Sequence, residues 1–230
     1  MTKIKICGIK TVDDALAAMD AGADMLGFNF YPKSPRYIGV GNCRDIMSVM
    51  RKHAHITYVG VFVNASLAEI CATLDTCALT LAQLHGEETP GLLDALYGRA
   101  FKAFRDIPES LHGFVREEPP AFLVDASVKG AYGGTGMKAD WSAAAELSRH
   151  YPILLAGGLT SVNVAEAVRR VKPWGVDVAS GVESSPGVKN IDKIKAFVRA
   201  VRSATDNVPK LQNQETVHPR KISHVDPITS

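Results

Sequence analysis

Two short segments in the later part of the chain, residues 156–159 and 179–182, place glycine and other small residues directly after an apolar run. Glycines at such places let backbone N–H groups approach a phosphate without a side chain in the way. A single Gly-Gly pair can equally close a tight turn, but two such segments together favour a ligand. We therefore predict a phosphate site that includes Gly157, Gly158, Ser180 and Gly181.

Polar and reactive side chains stand where other apolar runs end. Cys7 closes the first run and Asp125 closes a later one. A thiol and a carboxyl can both exchange protons with a substrate. The simpler alternatives are a small buried hydrophobe for the cysteine and a turn residue for the aspartate. Other polar residues at or just after the ends of apolar runs are Asn29, Arg36, Asn64, Gln83, His85, Arg105, Asp106 and Asp177.

The elements that must position these residues follow from hydrophobic periodicity. Short apolar runs alternate with amphipathic stretches, which is typical of strands that alternate with helices. Thr11 and the pair Ser66 and Glu69 predict helix starts, and Ser161 and Asn190 are predicted to begin the last two helices. Eight runs have the length of strands: residues 3–7, 25–30, 57–63, 79–85, 101–105, 121–125, 153–156 and 176–180.

These eight units predict an α/β fold, a single-domain (β/α)8 TIM barrel over residues 1–204. An open doubly wound sheet is the alternative, but it leaves exposed edges, and no GxGxxG motif follows the first strand. In a barrel the active site lies at the carboxyl ends of the strands, and the loops after strands seven and eight often bind phosphate. The polar residues and the glycine segments would then face one site.

Two regions fit the repeating unit poorly. Residues 107–120 contain three prolines and one glycine, so we expect at most a short or irregular fifth helix. Residues 205–230 contain three more prolines and no amphipathic period, which predicts a flexible C-terminal tail.

Composition narrows the function classes. The chain has 230 residues, 46% of them hydrophobic and 22% charged, which fits one globular domain and disfavours disorder or a membrane protein. The net charge is +2 and no dense run of Lys and Arg occurs, so we expect no nucleic-acid partner. The N-terminus has no secretory pattern, which predicts a cytoplasmic location. Four cysteines without CxxC or His spacing suggest neither disulfides nor a metal site.

Residues 1–204 resemble the phosphoribosylanthranilate isomerase family. The opening Lys5-Ile6-Cys7-Gly8-Ile9 and the segment at 27–36, which ends in Tyr-Pro-Lys-Ser-Pro-Arg, are the most specific parts of the resemblance. It continues in order through the segments at 59–64, 83–86, 123–125, 133–136, 140–141, 156–159 and 177–183. The sequence departs from the family pattern at residues 137–139, where an aromatic residue is expected before Asp140.

The resemblance implies an Amadori rearrangement in tryptophan biosynthesis. N-(5'-phosphoribosyl)anthranilate becomes 1-(2-carboxyphenylamino)-1-deoxyribulose 5-phosphate, with Asp125 as the acid and Cys7 as the base. No metal or organic cofactor is implied, because the substrate nitrogen serves as the electron sink. The base needs more thiolate than an ordinary cysteine has, and a neighbouring positive charge would favour this.

The resemblance also suggests substrate contacts. Arg36 would bind the anthranilate carboxylate, although it could instead be a solvated surface residue. Gln83, His85 and Asp177 would line the pocket, although His85 could be a hydrogen-bonded core residue. Gly134, in a glycine loop after Asp125, would join the phosphate site and close over bound substrate.

Two other functions stay open. The related aldose isomerase of histidine biosynthesis would carry an aspartate where this chain has Cys7. A non-catalytic barrel that binds a phosphorylated ligand could keep the glycines without the acid and the base. The expected partner in each case is a small molecule, with no membrane partner, and the chain could be a monomer or a homodimer because apolar helix faces serve either.

Overall fold

In the computed structural model, which describes residues 1–126 and 141–206, eight parallel strands form a closed barrel in chain order. The first strand closes the barrel by pairing with the eighth, with Lys5 opposite Asp177. This confirms the predicted barrel and excludes the open sheet. The strands are β1 Lys3–Cys7, β2 Met25–Asn29, β3 Thr57–Phe62, β4 Leu81–Leu84, β5 Ala100–Phe104, β6 Phe122–Asp125, β7 Leu154–Ala156 and β8 Gly175–Val178.

Helices connect most of the strands, and their ends carry the predicted caps. The side chain of Thr11 accepts a hydrogen bond from the backbone of Asp14, and Ser66 forms a capping box with Glu69. Within the described ranges, no helix combines the length and the hydrophobicity needed to cross a bilayer. The helices are α1 Val12–Ala21, α2 Val40–Met50, α3 Leu67–Thr76, α4 Pro90–Ala95, α5 Ser142–Ser148, α6 Val164–Val171 and α7 Ile191–Asp206.

Three boundaries differ from, or sharpen, the sequence prediction. Helix α6 begins at Val164 rather than at Ser161, because residues 160–163 form a turn held by side chains. The backbone N–H of Thr160 donates to Asn163 Oδ1, and the backbone N–H of Val162 donates to the Thr160 hydroxyl. Residues 105–121 contain neither a helix nor a strand, in keeping with the irregular fifth unit that the prolines predicted. Helix α7 continues to Asp206, beyond the predicted barrel end at 204. The rest of the predicted tail, 207–230, and the Gly134 loop lie outside the described residues.

Alternation along the strands creates two apolar layers with different roles. In β1 the side chains of Ile4 and Ile6 join the large core between the strands and the helices. A smaller cluster fills the inside of the barrel at the amino-terminal half of the strands, and Met25, Phe101 and Leu154 belong to it. Because this inner cluster plugs one end, the inward-facing residues at the other ends of the strands are left to form a cavity.

Candidate active site

A cavity of about 880 Å³ lies at the carboxyl ends of the strands. Its lining includes Cys7, the last residue of β1, and Asp125, the last residue of β6. The barrel therefore brings together most of the residues that the sequence suggested. Those in the lining are Cys7, Arg36, Gln83, His85, Asp125, Gly157, Gly158, Asp177 and Ser180.

Below this cavity lies a fully buried lysine that the sequence analysis quoted only as part of a motif. The Lys5 Nζ donates hydrogen bonds to Gln83 Oε1 at 2.8 Å and to Asp177 Oδ1 at 2.9 Å. Burial alone would lower the pKa of Lys5, but the negative charge of Asp177 and the neighbouring Cys7 raise the pKa above its ordinary value. Lys5 is therefore an ammonium ion inside the barrel.

Gln83 links this ammonium to His85. The Gln83 Nε2 lies 3.2 Å from His85 Nδ1. Burial lowers the pKa of His85 more than the charge of Asp125 raises it, so the imidazole is neutral at neutral pH. Its Nε2 is buried without a hydrogen-bond partner among the described residues and lies 3.9 Å from Asp125 Oδ2.

The thiol of Cys7 does not have the environment that its role led us to expect. Burial raises the pKa of Cys7 above its ordinary value, although the positive charges of Lys5 and Lys189 lower it. The expectation of an enlarged thiolate fraction is therefore wrong for the unliganded protein, because desolvation outweighs the cations. Cys7 is 8% exposed as a whole residue and belongs to the lining of the cavity.

A glycine on the adjacent strand leaves space for this part of the site. Gly27 pairs with Cys7 in the register of β1 and β2. A β-carbon at Gly27 would lie 2.8 Å from Cys7 Sγ and 3.2 Å from Lys5 Cε. Any larger residue there would displace the thiol or the lysine, so the sequence at this strand position is dictated by the two side chains beside it.

Arg36 lies over the cavity and is already paired. Its Nε and Nη2 donate to the two carboxylate oxygens of Glu183 at 2.8 and 2.7 Å. Glu183 also accepts from Lys189 Nζ at 2.9 Å. Burial would raise the pKa of Glu183, but these two cations lower it below the ordinary value. The Arg36 guanidinium is thus held in place by a bidentate ion pair and is not a solvated side chain. Its Nη1 takes no part in the pair with Glu183.

The two glycine segments meet at one side of the cavity. Gly157 and Gly158 adopt φ values of 97° and 62°, which favour glycine. A β-carbon at Gly181 would collide with the carbonyl oxygen of Leu159, so Gly181 packs the two segments together without lining the cavity itself. Ser180 begins a short 3-10 helix, Ser180–Val182, and the first turn of a helix leaves backbone N–H groups for other partners.

Several residues of the site were not predicted from the sequence. Lys5 could have been found, because it alternates with Ile4 and Ile6 and so lies on the inward face of its strand. Glu183 carried no local signal for its contact with Arg36, which is far away in the chain, and Lys189, which binds Glu183, carried none either. Lys102, which lines the cavity and pairs with Glu88 at 3.0 Å, was also missed.

Comparisons with known proteins point to one family. A family model described as N-(5'phosphoribosyl)anthranilate (PRA) isomerase matches residues 4–200. The curated N-(5'-phosphoribosyl)anthranilate isomerase of Geobacter sp. (strain M21) is 48% identical over 199 residues, which are 86% of this chain and 97% of that protein.

Solved structures agree with this match. The phosphoribosyl anthranilate isomerase from Thermotoga maritima superposes with a TM-score of 0.76 at 36% identity, covering 88% of this chain and 100% of that one. A phosphoribosyl anthranilate isomerase in complex with reduced 1-(o-carboxyphenylamino)-1-deoxyribulose 5-phosphate gives a TM-score of 0.73 at 35% identity, with 88% and 100% covered.

Proposed function

Because this chain belongs to the N-(5'-phosphoribosyl)anthranilate isomerase family, we propose that Asp125 and Cys7 are the acid and the base of its reaction. That reaction is the isomerisation of N-(5'-phosphoribosyl)anthranilate to 1-(2-carboxyphenylamino)-1-deoxyribulose 5-phosphate in tryptophan biosynthesis. The observation that supports the assignment is a single cavity lined by the thiol, the carboxyl and the glycine segments.

In the first step the Asp125 carboxyl gives its proton to the ring oxygen of the sugar as the bond from C1 to that oxygen breaks. The electron pair of the substrate nitrogen moves to C1 and forms an iminium ion. Cys7, as the thiolate, then removes the proton from C2. The electrons of that C–H bond form the C1–C2 double bond of an enolamine, and the electron pair of the C1–N double bond returns to the substrate nitrogen. Loss of the enol proton at O2 and proton gain at C1 complete the ketone without any outside oxidant or reductant.

The raised pKa of Cys7 is compatible with this order of steps. The iminium ion places a positive charge on the substrate only after the ring has opened. A positive charge close to the thiol favours the thiolate, as Lys5 and Lys189 already do. The base is therefore strengthened at the stage where it is needed, while the unliganded enzyme keeps a mostly protonated thiol.

The charged ends of the substrate fit two sides of the cavity. Arg36 binds the anthranilate carboxylate through the guanidinium face that Glu183 leaves available. The backbone of Gly157, Gly158 and Ser180 binds the phosphate, and Gly181 holds the two segments together. Gln83, His85 and Asp177 contact the sugar or the anthranilate from below.

The proposal includes a cytoplasmic location. The oligomeric state stays a prediction: the protein is a monomer or a homodimer.

The test follows the fluorescence of phosphoribosylanthranilate made in situ. Wild type is compared with Cys7→Ser and Asp125→Asn, and we expect each variant to lose roughly 10²- to 10⁴-fold in kcat, the usual worth of a general acid or base. A matched control is Cys43→Ser, because Cys43 is buried in the core away from the cavity. Unchanged turnover in both site variants would contradict the assignment.

A further inference from the structure

We propose that Lys5 is a positioning residue for both proton-transfer groups of this site. Its buried ammonium holds Cys7 on one side, and through Gln83 it fixes the form of His85 that faces Asp125 on the other. This inference rests on the proposed roles of Cys7 and Asp125, and it adds a residue that touches neither the cavity nor the substrate.

The first argument is the cost of placing a lysine here. Lys5 is 0% exposed, and lysine is almost never fully buried unless its charge is paired. A buried ion pair rarely adds stability compared with well-packed apolar residues. The inner cluster of the barrel would readily accept an apolar residue at this position, since Met25, which pairs with Lys5 on the neighbouring strand β2, already belongs to that cluster. A function other than stability therefore accounts for the charge.

The second argument is the geometry around the ammonium. Lysine offers three N–H donors, and the bonds to Gln83 and Asp177 use two of them. Cys7 lies two residues further along the strand and thus on the same face. Lys5 acts on this thiol both through its charge and as a hydrogen-bond donor. The third donor is left for another partner, and the side chains of Lys5 and Cys7 lie together against Gly27, where a β-carbon would be 3.2 Å from Lys5 Cε and 2.8 Å from Cys7 Sγ.

The charged groups around the thiol sum to one positive charge, which a thiolate would neutralise. Within the described part of the chain, the groups that act on Cys7 or bind those groups are three cations and two anions: Lys5, Lys189, Arg36, Asp177 and Glu183. Neutral His85 adds no charge, and Asp125, which lines the same cavity, is not among the groups that act on Cys7. One positive charge is left over, and Lys5 is the cation with the largest effect on Cys7.

The third argument concerns the acid. An ammonium only donates, so the Gln83 oxygen must face Lys5 and its NH₂ group must face His85 Nδ1. A neutral imidazole that accepts at Nδ1 carries its proton on Nε2. That N–H is the group that lies 3.9 Å from the Asp125 carboxyl. It can donate to the carboxylate that forms when Asp125 gives its proton to the substrate.

Without Lys5 this orientation is lost. The Gln83 amide could then turn and offer its oxygen to a protonated Nδ1, which leaves a bare Nε2 facing Asp125. A bare nitrogen would compete with the substrate for the carboxyl proton instead of stabilising the carboxylate. Lys5 thus acts on the acid at a distance, through one amide and one imidazole.

The experiment uses the whole protein and measures Cys7 without any substrate. Iodoacetamide alkylation of Cys7 is followed against pH by mass spectrometry of the peptide, for wild type and Lys5→Met. Methionine keeps the length of the side chain and removes its charge. We expect the rate of Cys7 alkylation at each pH below its midpoint to fall about 10- to 1000-fold, because the loss of an opposite charge within contact distance raises the pKa of an acidic group by about 1 to 3 units.

A matched control lies on the same strand and the same face. Lys3 is exposed at the other end of the barrel and pairs with Asp24, so Lys3→Met should leave the alkylation profile of Cys7 unchanged. Turnover should fall roughly 10²-fold in kcat for Lys5→Met with little change in KM, because Lys5 does not touch the substrate. An unchanged alkylation profile in Lys5→Met would overturn the role at Cys7.

A second measurement needs no variant at the buried position. The ring ¹⁵N shifts of His85 in the wild type, assigned by comparison with His85→Asn, should show a protonated Nε2 and an unprotonated Nδ1. The opposite tautomer would overturn the role toward Asp125, even if Lys5→Met does not fold. Neither readout depends on turnover, so a failure of Lys5 is distinguishable from a failure of Cys7 or Asp125 as catalytic groups.

Discussion

The two ends of the barrel use ion pairs in opposite ways. At the carboxyl end the pairs Lys5–Asp177, Lys102–Glu88 and Lys189–Glu183 are almost fully buried. At the amino end, Lys3 and Arg202 bind Asp24 in a cluster that is partly exposed. Exposed pairs add little stability, whereas buried pairs cost desolvation and become harmful when one partner is lost. The buried charges of this fold therefore lie beside the cavity, and the partly exposed ones lie at the opposite end.

Removing one partner of a buried pair should give the largest effect on stability. In Lys102→Met the Glu88 carboxylate stays buried, without the ammonium that now helps to lower its pKa against the effect of burial. We expect the free energy of unfolding to fall by roughly 3 to 5 kcal/mol. Urea denaturation measures this change. The matched control is Arg99→Met, whose partner Asp75 is exposed, with an expected loss of at most about 1 kcal/mol. Equal losses at both positions would remove the contrast.

The comparison also separates what the sequence could predict from what it could not. Local periodicity was enough for the eight strands, for the Ser66 capping box and for the irregular fifth unit. Cys7 and Asp125 stand at the ends of two of these strands, and their presence in one cavity then followed from the rule that barrels bind ligands at the carboxyl ends of the strands. These features depend on neighbours in the chain or on the symmetry of the fold.

The buried ion pairs and the protonation state of the Cys7 thiol depend instead on contacts between distant parts of the chain. Lys5 meets Gln83 and Asp177 only because strands from three parts of the chain converge on the barrel axis. The pKa of Cys7 is raised by desolvation, which is a property of the packed interior and not of adjacent residues. The role that the family resemblance implied for Cys7 suggested the opposite direction, because it considered a favourable neighbouring charge and not the burial.

Substituting the arginine over the cavity should affect substrate binding more than stability. In Arg36→Lys the charge is kept, but one ammonium cannot bind both oxygens of Glu183 and a substrate carboxylate in parallel. We expect KM to rise about tenfold, the equivalent of one lost charge-assisted hydrogen bond, with a smaller change in kcat. Steady-state kinetics gives both constants. Arg202→Lys, at the amino end, is the control and should leave KM unchanged. An unchanged KM in Arg36→Lys would show that this fork does not hold the carboxylate.

The smallest effect should come from the exposed cluster itself. Burial would raise the pKa of Asp24, but hydrogen bonds from Lys3, Arg202 and the backbone of Ile4 lower it below the ordinary value. A carboxyl with a lowered pKa in the folded state contributes stability above its unfolded value near about 3.9 and loses that contribution as the pH falls through the folded value. Asp24→Asn should therefore cost at most about 1 kcal/mol at pH 7 and nothing at a pH below the folded pKa.

Thermal or urea unfolding of wild type and Asp24→Asn at a series of pH values measures this difference. The two curves should separate at neutral pH, converge in acid and come closer in high salt, because the pairs are partly exposed to solvent. Turnover should not change at any pH where both proteins are folded, since Asp24 lies at the end of the barrel that does not line the cavity. A change in kcat in this variant would mean that the two ends are coupled through β1, whose Lys3 binds Asp24 and whose Lys5 and Cys7 belong to the site. It would then be wrong that the charges at the amino end of β1 affect only stability while those at its carboxyl end affect catalysis.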